Sequence, residues 1–482
     1  MTQLTTDVFT PAKRPTITGV NRTHLSQEID WEIKKGGWYV SVLGATKLGK
    51  TTLVKTALGK VDFSIFVNGN SFLEGDNALW QKLGAALEIP VSKETGTVSG
   101  DKSTWGFFAK FSANLGLAKG EGGSQFGGEH MRQTTSTNAI QLDAETEVIK
   151  AFKLLIDKGI TVAIAIDDFH FVTDVERRRS LIKALRPVAG AGVSIILITL
   201  PNRETDPAFD NTNAWGRHTP ISVPTWSLED LGKIARQGFE ALNVDASESI
   251  VRELSKNSFG SPQIMQQLCL NLCELENGVT ETVSGAQPFE LQEPRWWQDF
   301  FGSVRDPQSE QWLKILINGP KQRGHERKTY RIGAKKYDGY ELILFVLRDL
   351  GAKPTVSLDE LKTSIGMRVY PEIRNITSSD GKVVNLFNKQ KVNAMNLEAK
   401  INNLHVIAHK IVDGLKPIES SAGNSDSFDD DDAVFDEESI DVAGNRPQPF
   451  FEFVKDPVKP CINILDPQLC YSLKWHGGKM LR

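Results

Sequence analysis

Short apolar runs and stretches of helical spacing alternate through the first half of the chain. Trp38–Leu43, Phe63–Asn68, Val162–Ile166, Ser194–Leu200 and Ile221–Val223 read as strands, several of them apolar on both faces. Between them, His24–Lys35, Lys50–Leu58, Asn77–Leu87, Asp143–Asp157 and Asp174–Val188 read as helices, with Gly59 set to cap the second. Buried runs separated by helices predict an α/β fold, a parallel sheet covered on both faces.

The pattern then changes. Ser227-Leu228-Glu229-Asp230 has the spacing of a capping box, and helices dominate from there to about residue 280. After Pro294-Arg295-Trp296-Trp297, helices at Trp312–Ile317, Tyr340–Leu350 and Ser357–Ile365 precede strands at Phe450–Phe453 and Cys461–Leu465. Two stretches break the periodicity. Residues 91–140 are dense in Gly, Ser, Thr and Lys and read as an insertion, while 418–446 hold nine acids between Asp426 and Asp441 and read as a disordered loop. The expected domains are 1–225, 226–290 and 291–482.

At 482 residues the chain has room for two or three such units, and 40% hydrophobic with 24% charged residues fits packed cores. The net charge of −4 supplies no global field toward nucleic acid, so such a contact needs a local patch. Lys321, Arg323, Arg327, Lys328, Arg331, Lys335 and Lys336 form one, readable as phosphate contacts or as a solvated linker. The four cysteines show no zinc spacing and read as reduced thiols. His405 and His409 stand one helical turn apart without a third ligand nearby. The N-terminus carries no apolar leader and Val193–Leu200 is too short to span a bilayer, so a cytoplasmic chain without membrane contact is expected.

Chemistry concentrates at Gly44-Ala45-Thr46-Lys47-Leu48-Gly49-Lys50-Thr51, which fits GxxxxGK[ST] at every fixed position and is followed by Thr52. Glycines at these positions let backbone N–H groups curl around phosphates, and the following helix adds its positive end. Lys50 is expected on the β/γ oxygens and the Thr51 hydroxyl on Mg²⁺. The second half of such a site is a strand ending in acid, and Val162–Ile166 runs into Asp167 and Asp168. Asp167 is expected to hold Mg²⁺ through water and Asp168 to polarise the attacking water. Ser194–Leu200 is expected between the two motif strands, which makes this the additional-strand class of P-loop ATPase. Without an Asn-Lys-x-Asp signature after the loop, ATP is favoured over GTP.

Together Gly19-Val20-Asn21-Arg22, the phosphate loop, Ile164-Ala165-Ile166-Asp167-Asp168-Phe169-His170-Phe171 and Leu197-Ile198-Thr199-Leu200-Pro201-Asn202-Arg203 resemble the STAND signalling ATPases, relatives of AAA+ origin-binding ATPases. The resemblance covers about residues 15–275. It implies a three-layer P-loop NTPase sheet followed by a helical lid and a winged-helix-like α+β domain. It also implies Arg22 near the adenine or ribose, Arg203 with Thr199 as a γ-phosphate sensor, and Arg217 as an arginine finger on the C-terminal rim of the sheet, offered to a neighbouring subunit. Gly260-Ser261-Pro262-Gln263 departs from the AAA+ pattern, which often carries an arginine there, and this implies slow turnover. The expected function is an ATP-binding and hydrolysing switch that senses a trigger and controls an effector, as in bacterial antiviral defence. Its partners are then a homo-oligomer or a separate effector protein. The alternative is a DNA-associated AAA+ ATPase of transposition or replication initiation.

Overall fold

The computed structural model describes residues 2–13, 15–74, 78–89, 97–100, 140–172, 174–201, 207–209, 215–320, 326–377, 383–413 and 449–481. The expected insertion (apart from its two ends), the acidic loop, Arg203, Lys321 and Arg323 lie outside these residues. The chain divides into two compact units, one of residues 22–44 and 49–223, the other of residues 1–21, 45–48 and 224–482.

The first unit opens with α1 (Thr23–Lys35), β1 (Tyr39–Leu43), α2 (Lys50–Leu58), β2 (Phe63–Asn68) and α3 (Ala78–Ala86). A short antiparallel pair, β3 (Thr97–Gly100) with β4 (Ile140–Asp143), joins the ends of the expected insertion. Then come α4 (Ala144–Asp157), β5 (Val162–Asp167), α5 (Val175–Gly190), β6 (Ser194–Thr199) and β7 (His218–Ser222). The five-stranded sheet has the order β2-β5-β6-β1-β7, and all its pairings are parallel. Strands β1, β5 and β6 are buried at every position, in keeping with their largely apolar runs. The edge strands β2 and β7 alternate in burial, and β7 carries Pro220 where an edge tolerates a missing donor. Asp143 and Asp174 cap α4 and α5 by accepting from Thr146 and Arg177 N–H. Gly59 does cap α2, donating its N–H to Lys55 O at 3.1 Å, with a φ of −65° open to any residue. Helices pack on both faces of the sheet, so the expected three layers are present.

The second unit begins with residues that the sequence reading assigned to the ATPase core. A helical turn, Thr5–Val8, sets Val8 and Phe9 into an apolar cluster with α6 (Leu228–Ala241), α7 (Glu248–Lys256) and α8 (Pro262–Asn271). A Cβ on Gly238 would lie 2.2 Å from the Phe9 ring, so glycine is what lets the N-terminal segment sit on α6. Thr5 seals the join, its N–H donating to Thr280 O and its hydroxyl to Val279 O, both at 2.9 Å. The expected capping box at α6 is altered. Ser227 Oγ accepts the Asp230 N–H, and the Asp230 carboxylate takes the Ser227 hydroxyl. A shorter side chain than glutamate meets the cap's hydroxyl instead of its backbone N–H.

Beyond a two-residue pair β8–β9 (Val244–Asp245, Phe289–Glu290) come α9 (Trp297–Ser303), α10 (Pro307–Asn318) and the hairpin β10–β11 (Tyr330–Ile332, Lys335–Tyr337). The rest is a C-terminal β/α region of α11 (Gly339–Asp349), β12 (Thr355–Ser357), α12 (Leu358–Val369), a hairpin β13–β14 (Pro371–Thr377, Val383–Phe387), α13 (Lys389–Asn393), α14 (Leu397–Asp413), β15 (Phe451–Val454), β16 (Cys461–Ile464) and α15 (Pro467–Trp475). Its sheet has the order β12-β16-β15, antiparallel throughout. One apolar cluster joins α10 to α15, with Trp312 stacked on Phe450 at 4.6 Å. All four cysteines are free thiols, three of them buried. No helix among the described residues is long and apolar enough to cross a membrane.

Candidate nucleotide site

The phosphate loop leaves β1 at Gly44 and enters α2 at Lys50. Gly44 has no room for a side chain, because a Cβ there would lie 2.8 Å from Val223 O. Lys47 (φ 58°) and Gly49 (φ 85°) both take the left-handed conformation, which reverses the chain between β1 and α2. Gly49 is also the N-cap of α2, so the helix's positive end meets the same space. Lys50 is buried, and its Nζ donates to Gly44 O at 2.7 Å. Burial pulls the Lys50 ammonium down to about 8, against the opposing pull of Asp168 and Asp167. A buried cation held this way favours an anion beside it.

Thr51 and Asp167 meet across the strand order. β6 stands between β1 and β5, yet the Thr51 hydroxyl donates to Asp167 Oδ2 at 2.9 Å and approaches Oδ1 at 3.2 Å. Hydroxyl and carboxylate oxygens in contact form the hard donor set that magnesium prefers, and the phosphate loop adjoins them. The residues fit Mg²⁺ with a nucleoside triphosphate. The fold is that of an α/β P-loop ATPase. The additional strand is the expected one, with Leu43 opposite Thr199 and Ile166 opposite Leu197.

In this ATPase fold Asp168 sits one step beyond β5 with φ 52°, a strained conformation for a non-glycine residue. Burial, then the Asp167 carboxylate, raises its acid up to about 6, while Lys50 and a hydrogen bond from Asn68 pull the other way. Asn68 ends β2 directly opposite Asp167, and its Oδ1 accepts the Asn70 N–H at 2.9 Å, which turns its amide nitrogen to Asp168. Gly69 follows, so close that a Cβ would lie 2.5 Å from Asp168 O. Neither Asn68 nor Gly69 stood out in the sequence. The signal was Asn68-Gly69-Asn70, a polar turn at the end of the strand that neighbours the acidic one.

The other expected site residues separate. Thr199 is buried at the end of β6, beside the loop's own strand. Thr52 follows in α2, and Arg22 is the N-cap of α1, a helix that packs on α2. Arg217 is exposed but not on the expected rim. β7 starts at His218, opposite Tyr39, whereas the phosphate-loop end of β1, Leu43, lies opposite Ser222. Arg217 therefore stands at the strands' N-terminal ends, just before β7, five residues or roughly 16 Å from the loop's level. A residue that precedes a parallel strand lies at that strand's N-terminal end whatever the strand's length, so the expected rim is corrected to the opposite one.

Ala45 to Leu48, the middle of the loop, group with the second unit. There the Thr46 N–H and hydroxyl both donate to Leu465 O, at 3.1 and 3.2 Å. Lys47 pairs with the buried Asp466 at 3.0 Å, and the Trp226 indole donates to Leu48 O at 3.1 Å. His405 and His409 lie with their rings tilted at a centroid distance of 4.0 Å, and His405 Nδ1 accepts the Phe453 N–H, so they serve packing. Among the described residues no three metal-ligating side chains gather.

No protein-family model matches the sequence, and no curated protein matches it. Solved structures do. A Cdc6p from Pyrobaculum aerophilum is similar at 11% identity over 99% of both chains, with a TM-score of 0.33. The Walker-type ATPase of Pyrococcus abyssi is similar at 12% identity over 96% of this chain and 99% of its own, with a TM-score of 0.45. The Aeropyrum pernix ORC1 protein, solved in complex with DNA, is similar at 10% identity over 99% of this chain and 97% of its own, with a TM-score of 0.40.

Proposed function

We propose that this chain is an ATP-hydrolysing AAA+-type switch that acts on duplex DNA. The observation that carries the ATPase half is the Thr51–Asp167 contact at 2.9 Å, with Asp168 beside it and Lys50 buried in the loop. Thr51 and Asp167 would hold Mg²⁺, which screens the β- and γ-phosphate charge. Lys50 and the loop N–H groups orient the same phosphates. Asp168 takes a proton from the attacking water, and Asn68 fixes the direction of its carboxylate. Thr199, with Arg203, reads the γ-phosphate from the end of β6. Arg22 lies toward the base and ribose. Arg217 is too far along the sheet for its own site, so its charge serves a neighbouring subunit.

The DNA half rests on the C-terminal element order. With the β13–β14 hairpin and α13 set between α12 and α14, the order α11-β12-α12-α14-β15-β16, with β16 between β12 and β15, supports a winged-helix reading. The β15–β16 connection, the wing, carries Lys455 and Lys459 exposed, with Val458 82% exposed between them. Such a connection presents cations to phosphates and one apolar side chain to a groove. The alternative, a DNA-associated AAA+ ATPase of transposition or replication initiation, therefore has more behind it than the signalling reading. That reading, with an antiviral role and a separate effector, rests on the sequence resemblance alone.

The test is sizing with ADP and with a non-hydrolysable ATP analogue, with and without duplex DNA. Assembly that needs both ATP analogue and duplex supports the proposal. A nucleotide-driven size increase indifferent to DNA refutes its DNA half.

A further inference from the structure

The hairpin β10–β11 precedes the winged-helix order and has no part in it, and among the described residues it carries three of the basic run's four exposed cations. Its register pairs Tyr330 with Tyr337, Arg331 with Lys336 and Ile332 with Lys335. The pleat sends the tyrosine pair inward, where both rings are buried, and the Arg331–Lys336 pair outward. By the same alternation Lys335, opposite Ile332, belongs to the tyrosines' side, yet it is exposed at the hairpin tip beside the turn, where Gly333 takes φ 59°; Lys328 is exposed just before the first strand.

Two cations directly opposite on one face lie about 4.5–5.5 Å apart at Cβ and repel each other. Among the described residues none of these four cations is in an ion pair with a carboxylate. Arg331 Nε donates to Gly333 O at 3.0 Å, which orients its guanidinium at the hairpin tip. Arg327 belongs to a different role, since it pairs with Asp338 at 2.8 Å and lies over the Tyr340 ring. It anchors the base of the hairpin to α11. The two tyrosines share one apolar cluster with α11, α12 and α14, and Ile332 packs against it. The charged face is thus rigidly mounted on the proposed DNA-binding region.

We propose that the β10–β11 hairpin is a second duplex-DNA contact, with Arg331, Lys335 and Lys336 on backbone phosphates. This rests on the DNA reading above and extends it to an element outside the winged helix. A duplex presents a regular array of phosphates, which a fixed cross-strand cation pair can straddle. A lipid surface fits less well, because no large apolar side chain is exposed among the described residues of the hairpin, and interfacial elements need one. Contacts to phosphates alone carry no sequence preference, so the hairpin adds affinity and register.

The experiment is fluorescence anisotropy of a labelled duplex over a salt series, with full-length protein. It compares wild type, the triple variant Arg331→Gln/Lys335→Gln/Lys336→Gln, the charge-keeping Arg331→Lys/Lys335→Arg/Lys336→Arg, and the wing variant Lys455→Gln/Lys459→Gln. Each phosphate contact contributes about 0.9 to the slope of log affinity against log salt. The triple variant should lose about two to three from that slope on every duplex sequence, keep ATP affinity, and be rescued by the charge-keeping variant. If wild type binds duplex and the triple variant keeps its slope while the wing variant loses some, the hairpin proposal is overturned and the DNA reading stands. If wild type binds no duplex but binds phosphatidylserine vesicles or an acidic peptide through the hairpin, both fall.

Discussion

Gly69→Ala should cripple hydrolysis while leaving nucleotide binding intact. The added Cβ would lie 2.5 Å from Asp168 O, 3.0 Å from Asp168 C and 3.1 Å from Phe169 Cα. All three are backbone atoms, so no side-chain rotation relieves the clash. Restoring even a tight 3.4 Å contact requires the two segments to part by about 0.9 Å. That displacement falls on the residue whose carboxylate must meet a water at the γ-phosphate. A misplacement of about 1 Å at such a point costs on the order of 10²-fold in rate. The strain itself costs about 1–3 kcal/mol of stability, as overpacking does. The phosphate loop is carried by another strand, so affinity for a fluorescent ADP analogue should change little. The control is Gly190→Ala, where an added Cβ meets nothing within 4 Å. Single-turnover phosphate release is the assay, with analogue titration beside it. Turnover by Gly69→Ala within about twofold of Gly190→Ala would refute the claim that Asp168 needs this backbone approach.

Two further outcomes follow from residues away from the loop. ATPase activity per subunit should rise with protein concentration, Arg217→Ala should remove the rise, and mixing it with Lys50→Ala should restore part of it; rates that ignore concentration and mixing would leave Arg217 a surface residue. Burial, acting against Glu310 3.5 Å away and with Arg305 and Lys479, holds His476 below its usual 6.5. Below 6.5 the unfolded chain then binds the extra proton first, so stability should fall as pH drops through that value, down to the lower folded-state pKa. His476→Gln should flatten that fall in urea melts at successive pH values, and an unchanged pH profile would count against it.

Much of the ATPase half could be read in the sequence because its signals are local. GxxxxGK[ST] forces a turn between a strand and a helix, and runs such as Val162–Ile166 admit one burial pattern. Lys50–Leu58 and Phe63–Asn68 fall on the boundaries the spacing predicts. What stayed hidden depends on tertiary register. The start of β7 stayed hidden because His218-Thr219-Pro220 is too polar to announce a strand. Asn68 and Gly69 matter only because β2 lies next to β5. The place of the N-terminal segment is not legible because Phe9 finds its partner at Gly238, more than two hundred residues away. The three-residue strands Tyr330–Ile332 and Lys335–Tyr337 are too short for periodicity to reveal.

The most direct test of the central claim is single-turnover release of γ-phosphate from Mg²⁺-ATP by wild type, Asp168→Asn and Asp167→Asn. The arrangement of Thr51, Asp167 and Asp168 predicts that Asp168→Asn binds ATP as wild type does and releases phosphate about 10²–10⁴-fold more slowly. Asp167→Asn should instead lose the Mg²⁺ dependence of binding. Release by Asp168→Asn at the wild-type rate, with ATP bound equally well, would contradict the account.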